Sequence, residues 1–196
     1  MAASGDSIGF AAIREWAMSR ARGSGIEIGC GDGRNFEYLP DGVTLTAIEP
    51  DPKLASAART RGRSRAVTVI EGIGEEITVP SESVEFVITT LTLCTVGDLH
   101  ATLREVQRVL RPGGSLIAVE HIASSASVYA VWQRLADLVW PHVSGGCHTT
   151  RDILEAIEDA GFDNTELVLF DFPSRRSLSP ARPMFKGVFK KAAPEE

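Results

Sequence analysis

The chain has 196 residues, of which 43% are hydrophobic and 23% charged, and its formal net charge is −6. This length suits one domain with a buried core, and the composition is that of an ordinary soluble globular protein. The acidic balance argues against a polyanionic partner, because phosphate contacts need clustered Lys and Arg. We therefore expect no nucleic acid partner.

The three cysteines, Cys30, Cys94 and Cys147, are too few for a disulfide framework, and their spacing fits no zinc pattern. We expect no metal and a reducing, cytoplasmic compartment. No apolar run approaches the roughly 20 residues of a spanning helix, and the N-terminal residues do not resemble a signal peptide. The sequence thus shows no membrane anchor.

Helices and strands alternate through the first two thirds of the chain. Hydrophobic periodicity and Gly/Pro signals predict helices at 8–22, 35–39 (short), 53–63 and 99–110, and strands at 26–28, 43–48, 67–70, 84–90 and 115–120. Such alternation indicates parallel β-α-β units in an open, doubly wound sheet.

In the last third of the chain, helices and strands no longer alternate regularly. The sequence there predicts a helix over 128–140, a second helix over 150–160 with Thr149 or Thr150 as its N-cap, and strands at 166–171 and 184–189. The tail is too short for a separate domain, so we expect it to complete the sheet and cover the substrate side.

A glycine-rich loop carries most of the functional argument. Gly29, Gly31 and Gly33 directly follow a buried strand, where glycine permits a tight turn and the close approach of a ligand. Glu49 ends the second strand, and an acidic residue there can accept hydrogen bonds from the ribose hydroxyls of a nucleoside. Together they indicate a nucleoside site, which leaves dinucleotide enzymes open.

Longer motifs indicate the class of protein more closely. The segments EIGCGDGRN, IEPDP, VEFVITTLTLCTV, EVQRVLRPGGSLIAVEHI and GCHTTRDILEAIEDAGF resemble class I S-adenosylmethionine methyltransferases of the ubiquinone/menaquinone-biosynthesis type. The TLxLC pattern and the WQ…W…GC…TR pattern are more similar to the branch that contains the animal thiol S-methyltransferases. The resemblance implies an N-terminal hydrophobic segment in those relatives, and we expect none in this sequence.

The resemblance implies a Rossmann-like, mostly parallel seven-stranded sheet with helices on both faces. It implies one methyltransferase domain over 1–196, with an N-terminal helix in 1–25, a cofactor-binding core in 26–121, and substrate-side helices and last strands in 122–196. The expected activity is transfer of a methyl group to a small-molecule acceptor, and the expected acceptor is the sulfur of a small, fairly apolar thiol. A monomer and a homodimer are both open.

The resemblance also assigns cofactor contacts. The methionine portion of S-adenosylmethionine is expected near the first strand and its loop, the ribose at Glu49 and the adenosine near Pro50 and Asp51. Relatives outside this branch often carry Asp where Ile73 stands, so here the adenine contact is expected from backbone or Glu75. The complete set is Glu27, Gly29, Cys30, Gly31, Gly33, Glu49, Pro50, Asp51, Gly74, Glu75, Thr90, Leu91 and Leu93.

Substrate-side residues keep two interpretations each. His121 and His148 are candidate catalytic bases, because His titrates near neutrality, and both are equally candidates for packing or capping. Cys94 either lines the pocket or is a small buried hydrophobe. Trp132 and Trp140, eight residues apart on one predicted helix, form core or an apolar substrate wall.

The last substrate-side candidate is Arg151, which follows a Gly-rich turn. It either faces the substrate beside a flexible lid or forms a surface ion pair.

Other functions compete with thiol methylation. C- or O-methylation in quinone or secondary-metabolite synthesis shares the superfamily motifs, and a non-catalytic nucleoside-binding module is the alternative from another class. An NAD-dependent oxidoreductase is disfavoured, because GCGDG lacks the GxGxxG spacing.

Overall fold

The computed structural model describes residues 8–173 and 177–192. Six α-helices and a 3-10 helix, Arg34–Tyr38, are present there; the α-helices are α1 Ile8–Met18, α2 Pro52–Gly62, α3 Leu99–Val109, α4 Ser127–Asp137, α5 Trp140–Val143 and α6 Ile153–Asp159. The strands are β1 Ser24–Ile28, β2 Thr44–Glu49, β3 Val67–Glu71, β4 Val84–Thr90, β5 Leu110–His121, β6 Phe162–Asp171 and β7 Pro183–Lys191.

The seven strands form one mixed sheet in the order β3-β2-β1-β4-β5-β7-β6. Neighbours from β3 to β5 are parallel, whereas β7 pairs antiparallel with both β5 and β6. The predicted seven-stranded, mostly parallel sheet is confirmed, with β7 as its antiparallel strand. The strand order reverses between β1 and β4, and in open α/β sheets ligands bind beyond the carboxyl ends of the strands at this reversal.

Two hydrophobic clusters pack against the sheet. Along β5, Leu116 and Ala118 belong to a cluster with residues of α3 and α6, while Ile117 and Val119 belong to a cluster with residues of α1 and α2. Successive side chains of a strand point to opposite faces, which explains the separation. The near-continuous apolar sequence of β5 is therefore what a strand buried on both faces requires.

Two predicted helices are shorter in the structure. The prediction that α1 continues to residue 22 is wrong, because after Met18 the turn tightens to bonds spanning three residues, such as Ala21 N to Met18 O at 3.0 Å. The prediction of one helix over 128–140 is also wrong: α4 ends at Asp137, and Trp140 begins the separate α5. Pro141 accounts for this boundary, since in a continuous helix it has no N–H to donate to the Asp137 carbonyl and its ring would clash with that carbonyl.

The start of the last helix also differs from its prediction. Neither Thr149 nor Thr150 is the N-cap of α6; Asp152 is, with its side chain accepting from Glu155 N at 3.1 Å. Within the described ranges, no helix is long and apolar enough to cross a membrane.

Candidate functional site

The glycine loop lies at the strand-order reversal. The Gly29 and Cys30 N–H groups both donate to the Ile48 carbonyl, at 2.8 and 3.1 Å, which fastens the loop to β2. Gly29, Gly31 and Gly33 all have positive φ, between 58° and 82°. A Cβ on Gly29 would lie 2.5 Å from Thr92 Oγ1, whereas a Cβ on Gly31 would have nothing within 4 Å. Gly31 therefore presents bare backbone to open space, as a site for close ligand approach requires.

Glu49 joins this loop to the start of α2. Glu49 is 6% exposed, and its carboxylate accepts from Gly31 N at 2.8 Å and from Asp51 N at 3.0 Å. A carboxylate has about four acceptor positions, so two remain for further donors. Asp51 itself caps α2 by accepting from Lys53 N at 2.7 Å.

A cavity of about 440 Å³ opens beside the loop. Its volume lies in the range of small-molecule and cofactor sites. Of the predicted cofactor residues, it is lined by Gly29, Glu49, Pro50, Gly74, Glu75 and Leu91; Ile73 also lines it, as do residues from the loop after β4 and Ser144 and Gly145. Glu75 is partly engaged, because it accepts from Asp98 N at 3.0 Å.

Glu27 lies buried one residue before the cavity-lining Ile28. Asn35 Nδ2 donates to Glu27 Oε1 at 2.6 Å and reaches Thr90 Oγ1 at 3.1 Å, while Arg14 donates to Asn35 Oδ1 at 2.8 Å. Glu27 Oε2 is buried without a hydrogen-bond partner among the described residues. Burial raises the pKa of Glu27 to about 7, although the Asn35 hydrogen bond opposes the shift.

The loop after β4 forms another side of the cavity. Leu91 lines it with φ of 58°, a conformation that non-glycine residues adopt rarely and mostly where surrounding contacts enforce it. Its N–H donates to Val119 O at 2.8 Å. The predicted contact Leu93 is fully buried in the core, and Cys30 is 6% exposed.

Arg151 anchors the same loop from the other side. Its guanidinium donates to the carbonyls of Leu93 at 3.0 Å and Val96 at 2.7 Å. These bonds tie the segment before α6 to the cavity wall. The structure thus places Arg151 against the protein backbone.

Three soft side chains meet beside this loop. Cys94 follows β4, His121 ends β5 and Cys147 precedes α6, and their Sγ and ring-nitrogen atoms lie within 4.8 Å of one another. His121 Nδ1 is 3.2 Å from Cys147 Sγ. The neighbouring Cys147 sulfur, together with burial, raises the pKa of Cys94, whereas the neighbouring Cys94 sulfur and His121 lower the pKa of Cys147. The fold therefore brings two thiol groups and one imidazole together.

The other substrate-side candidates do not form one group. His148 Nδ1 lies 3.1 Å from Asp137 Oδ2, and Asp137 also accepts from Thr149 N at 2.6 Å. Trp132 is 44% exposed and donates to Leu178 O at 3.0 Å, whereas Trp140 packs against the core near Cys147. The prediction that Trp132 and Trp140 lie on one helix is wrong, because the helix breaks between them.

Several supporting polar residues were not predicted. Buried Gln133 links three backbone segments, because it accepts from Ser124 N and donates to the carbonyls of Ile122, Thr149 and Pro180. Buried Glu120 accepts from Thr92 N and Leu93 N, both at 3.0 Å. Only an acid or amide inside an apolar stretch signals such residues, and their partners lie far away in sequence.

Solved structures confirm the architecture. A geranyl diphosphate methyltransferase in complex with S-adenosylmethionine superposes with a TM-score of 0.72 at 15% identity, covering 93% of this chain and 85% of that one. The [4+2]-cyclase SpnF gives 0.76 at 15% identity, with 94% and 80% covered. At these identities the likeness shows the fold alone, and one fold hosts several chemistries.

Sequence comparison identifies the class. The family described as "Methyltransferase domain" matches residues 26–118, which run from β1 into β5. The fold and this part of the sequence are therefore those of a methyltransferase domain.

The relatives define the family more closely. Thiol S-methyltransferase TMT1A of Homo sapiens is 35% identical over 164 residues, covering 81% of this chain and 67% of its own length. Thiol S-methyltransferase TMT1B of Rattus norvegicus is 35% identical over 148 residues, covering 72% and 61%. The chain belongs to the family of S-adenosylmethionine-dependent methyltransferases that contains these proteins, and it spans about two thirds or less of their length.

Proposed function

We propose that the chain transfers the methyl group of S-adenosylmethionine to the sulfur of a small, fairly apolar thiol. The observation that carries the proposal is a cavity between the glycine loop and Glu49 in a chain 35% identical to proteins named thiol S-methyltransferases. We also infer that helices cover both faces of the sheet, because the two hydrophobic clusters contain different helices.

The residues fit the methyl donor. Glu27 Oε2 is a buried acceptor without a donor, and the methionine portion of the donor carries an ammonium group. Gly31 leaves space at the backbone, and Glu49 retains acceptor positions for two ribose hydroxyls. Glu27, the glycine loop and Glu49 would hold the donor, which supplies a methyl group already activated by its positive sulfonium.

The chain's own contribution is positioning and exclusion of water. The bonds from Gly29 and Cys30 to β2, and those from Arg151 to the loop after β4, fix the two sides of the cavity. When two reactants are already held in line, the reaction step no longer includes their loss of translational and rotational entropy, which lowers the barrier by several kcal/mol. Leu91 adds an apolar wall, which favours a nucleophile stripped of water.

The cavity chemistry suits a nucleophile that ionises by itself. Among the described residues that line it, the ionisable side chains are Glu49 and Glu75, with no histidine, lysine or cysteine. A thiol is a few per cent ionised near pH 7 without help, whereas an alcohol or phenol acceptor depends more on a base. This composition supports sulfur as the acceptor atom.

The test compares matched acceptors that differ by sulfur in place of oxygen, such as thiophenol and phenol, with S-adenosylhomocysteine as the measured product. We expect product with the thiol, at a rate that rises with pH up to the pKa of the thiol, because the thiolate is the nucleophile. Arg134→Met, on the exposed side of α4, serves as a control with unchanged rate. Product with phenols, amines or carbon acids but not with thiols would refute the sulfur assignment.

A further inference from the structure

The cluster of Cys94, His121 and Cys147 has no part in the proposed methyl transfer. Its members are far apart in the sequence and come from the loop after β4, the end of β5 and the turn before α6. Cys94 is fully buried, Cys147 is 4% exposed and His121 is half-buried. We propose that these three side chains bind one zinc ion.

The distances between the ligand atoms carry the proposal. With zinc–sulfur bonds of about 2.3 Å and zinc–nitrogen bonds of about 2.1 Å, tetrahedral ligands stand about 3.8 Å apart for S···S and about 3.6 Å for S···N. The three atoms here all lie within 4.8 Å of one another, and His121 Nδ1 is 3.2 Å from Cys147 Sγ. Shifts of a few tenths of an ångström to about 1 Å would bring them onto one ion.

The backbone around the cluster is held in place without a metal. His148 N donates to the Cys94 carbonyl at 2.8 Å, which joins the loop after β4 to the turn before α6. Glu120 fixes Leu93, the residue before Cys94, by accepting from its N–H at 3.0 Å. A site assembled in this way loses little conformational entropy when an ion binds.

The chemical type of the three ligand atoms favours zinc. Two thiolates and an imidazole suit zinc, whereas calcium and magnesium require oxygen ligands. Two thiolates also neutralise a dication, so that the buried complex carries no net charge. Three protein ligands leave one tetrahedral position for water or an exogenous ligand.

The experiment measures metal binding by the whole chain, independently of methyl transfer. Protein purified with a non-chelating reductant is analysed for zinc, then stripped with a chelator and titrated with Co²⁺. We expect about one equivalent of zinc, and on titration a thiolate-to-cobalt charge-transfer band with the visible bands of a tetrahedral ion. The band should saturate at one equivalent and be reversed by added zinc.

Variants locate the ion. Cys147→Ser and His121→Gln should each reduce the retained zinc, and Cys147→Ser should weaken the charge-transfer band. Cys30→Ser, the matched change at the third buried cysteine, should leave both the stoichiometry and the spectrum unchanged.

Three results would overturn the proposal. They are wild-type protein that is folded by circular dichroism yet shows no thiolate-to-cobalt band, a band that persists in the Cys94→Ser/Cys147→Ser double variant, and a Cys94–Cys147 disulfide in the metal-free protein as purified. The wild-type spectrum needs no variant, so it decides the question even if Cys94→Ser does not fold.

Discussion

Replacing Glu27 with Gln should separate the stability of the free protein from its affinity for the donor. Burial raises the pKa of Glu27 from 4.5 to about 7. The folded chain therefore keeps this proton between those pH values, where the unfolded chain releases it. The resulting stability is fully present below pH 4.5 and is lost as the pH rises through 7.

The magnitude follows from the shift of about 2.5 pKa units, which corresponds to about 3 kcal/mol at 1.36 kcal/mol per unit. About 2 kcal/mol of this change falls between pH 5.5 and 8.5. Gln cannot ionise, so the unfolding free energy of Glu27→Gln should rise by about 2 kcal/mol relative to wild type over the same interval.

Urea unfolding at several pH values measures this difference, and other titrating groups cancel between the two proteins. Calorimetry with S-adenosylhomocysteine gives the complementary result. The affinity of wild type should increase with pH up to about 7, because an ammonium stabilises ionised Glu27, and that of Glu27→Gln should be weaker and flatter. Parallel stability profiles for the two proteins would refute the burial argument, and parallel affinity profiles would refute the ammonium contact.

Four further substitutions test the site. Gly31→Ala should cost only about 1 kcal/mol of stability through its positive φ and yet weaken S-adenosylhomocysteine binding. Gly29→Ala should cost about 2–4 kcal/mol, because its Cβ would clash with Thr92, and equal unfolding free energies for the two variants would contradict this difference. Glu49→Gln should weaken S-adenosylhomocysteine binding about 10- to 100-fold in calorimetry, as expected for hydrogen bonds to a charged acceptor, and unchanged affinity would remove Glu49 from the ribose site. Arg151→Met should lower the unfolding free energy by about 2–3 kcal/mol, because it leaves two loop carbonyls without their hydrogen bonds. The control Arg134→Met, on an exposed helix face, should change the unfolding free energy by less than about 0.5 kcal/mol. Similar losses for both variants would show that Arg151 does not anchor the loop.

The sheet and the donor side of the site could be predicted because their determinants are local. Gly29 directly follows β1, Gly31 comes two residues later, and Glu49 ends the neighbouring β2, so the parallel register brings them together. The difference between the two glycines could not be predicted, since it depends on whether Thr92, from a distant loop, stands opposite the missing Cβ.

The substrate side resisted prediction because its contacts join distant segments. Helical spacing predicted Trp132 and Trp140 on one helix, but a proline directly after Trp140 prevents a continuous helix through both residues. His121 and Cys147 are 26 residues apart and meet only because the turn before α6 folds back over the carboxyl end of β5. Neither the sequence around each residue nor the spacing between them indicates that the two side chains are in contact.

Packing alone does not account for this cluster. A buried thiol behaves as a small hydrophobe, and for that purpose Cys30 and Cys94 are alike. A half-buried imidazole 3.2 Å from one sulfur is different, because its polar nitrogen must be satisfied in a largely apolar setting. Cys94 is flanked in sequence by the cavity-lining Thr92 and Thr95, and Cys147 follows the cavity-lining Gly145 by two residues. The edge of the sheet that holds the donor cavity therefore also carries a second group of reactive atoms, and a metal bound there would connect directly to the walls of that cavity.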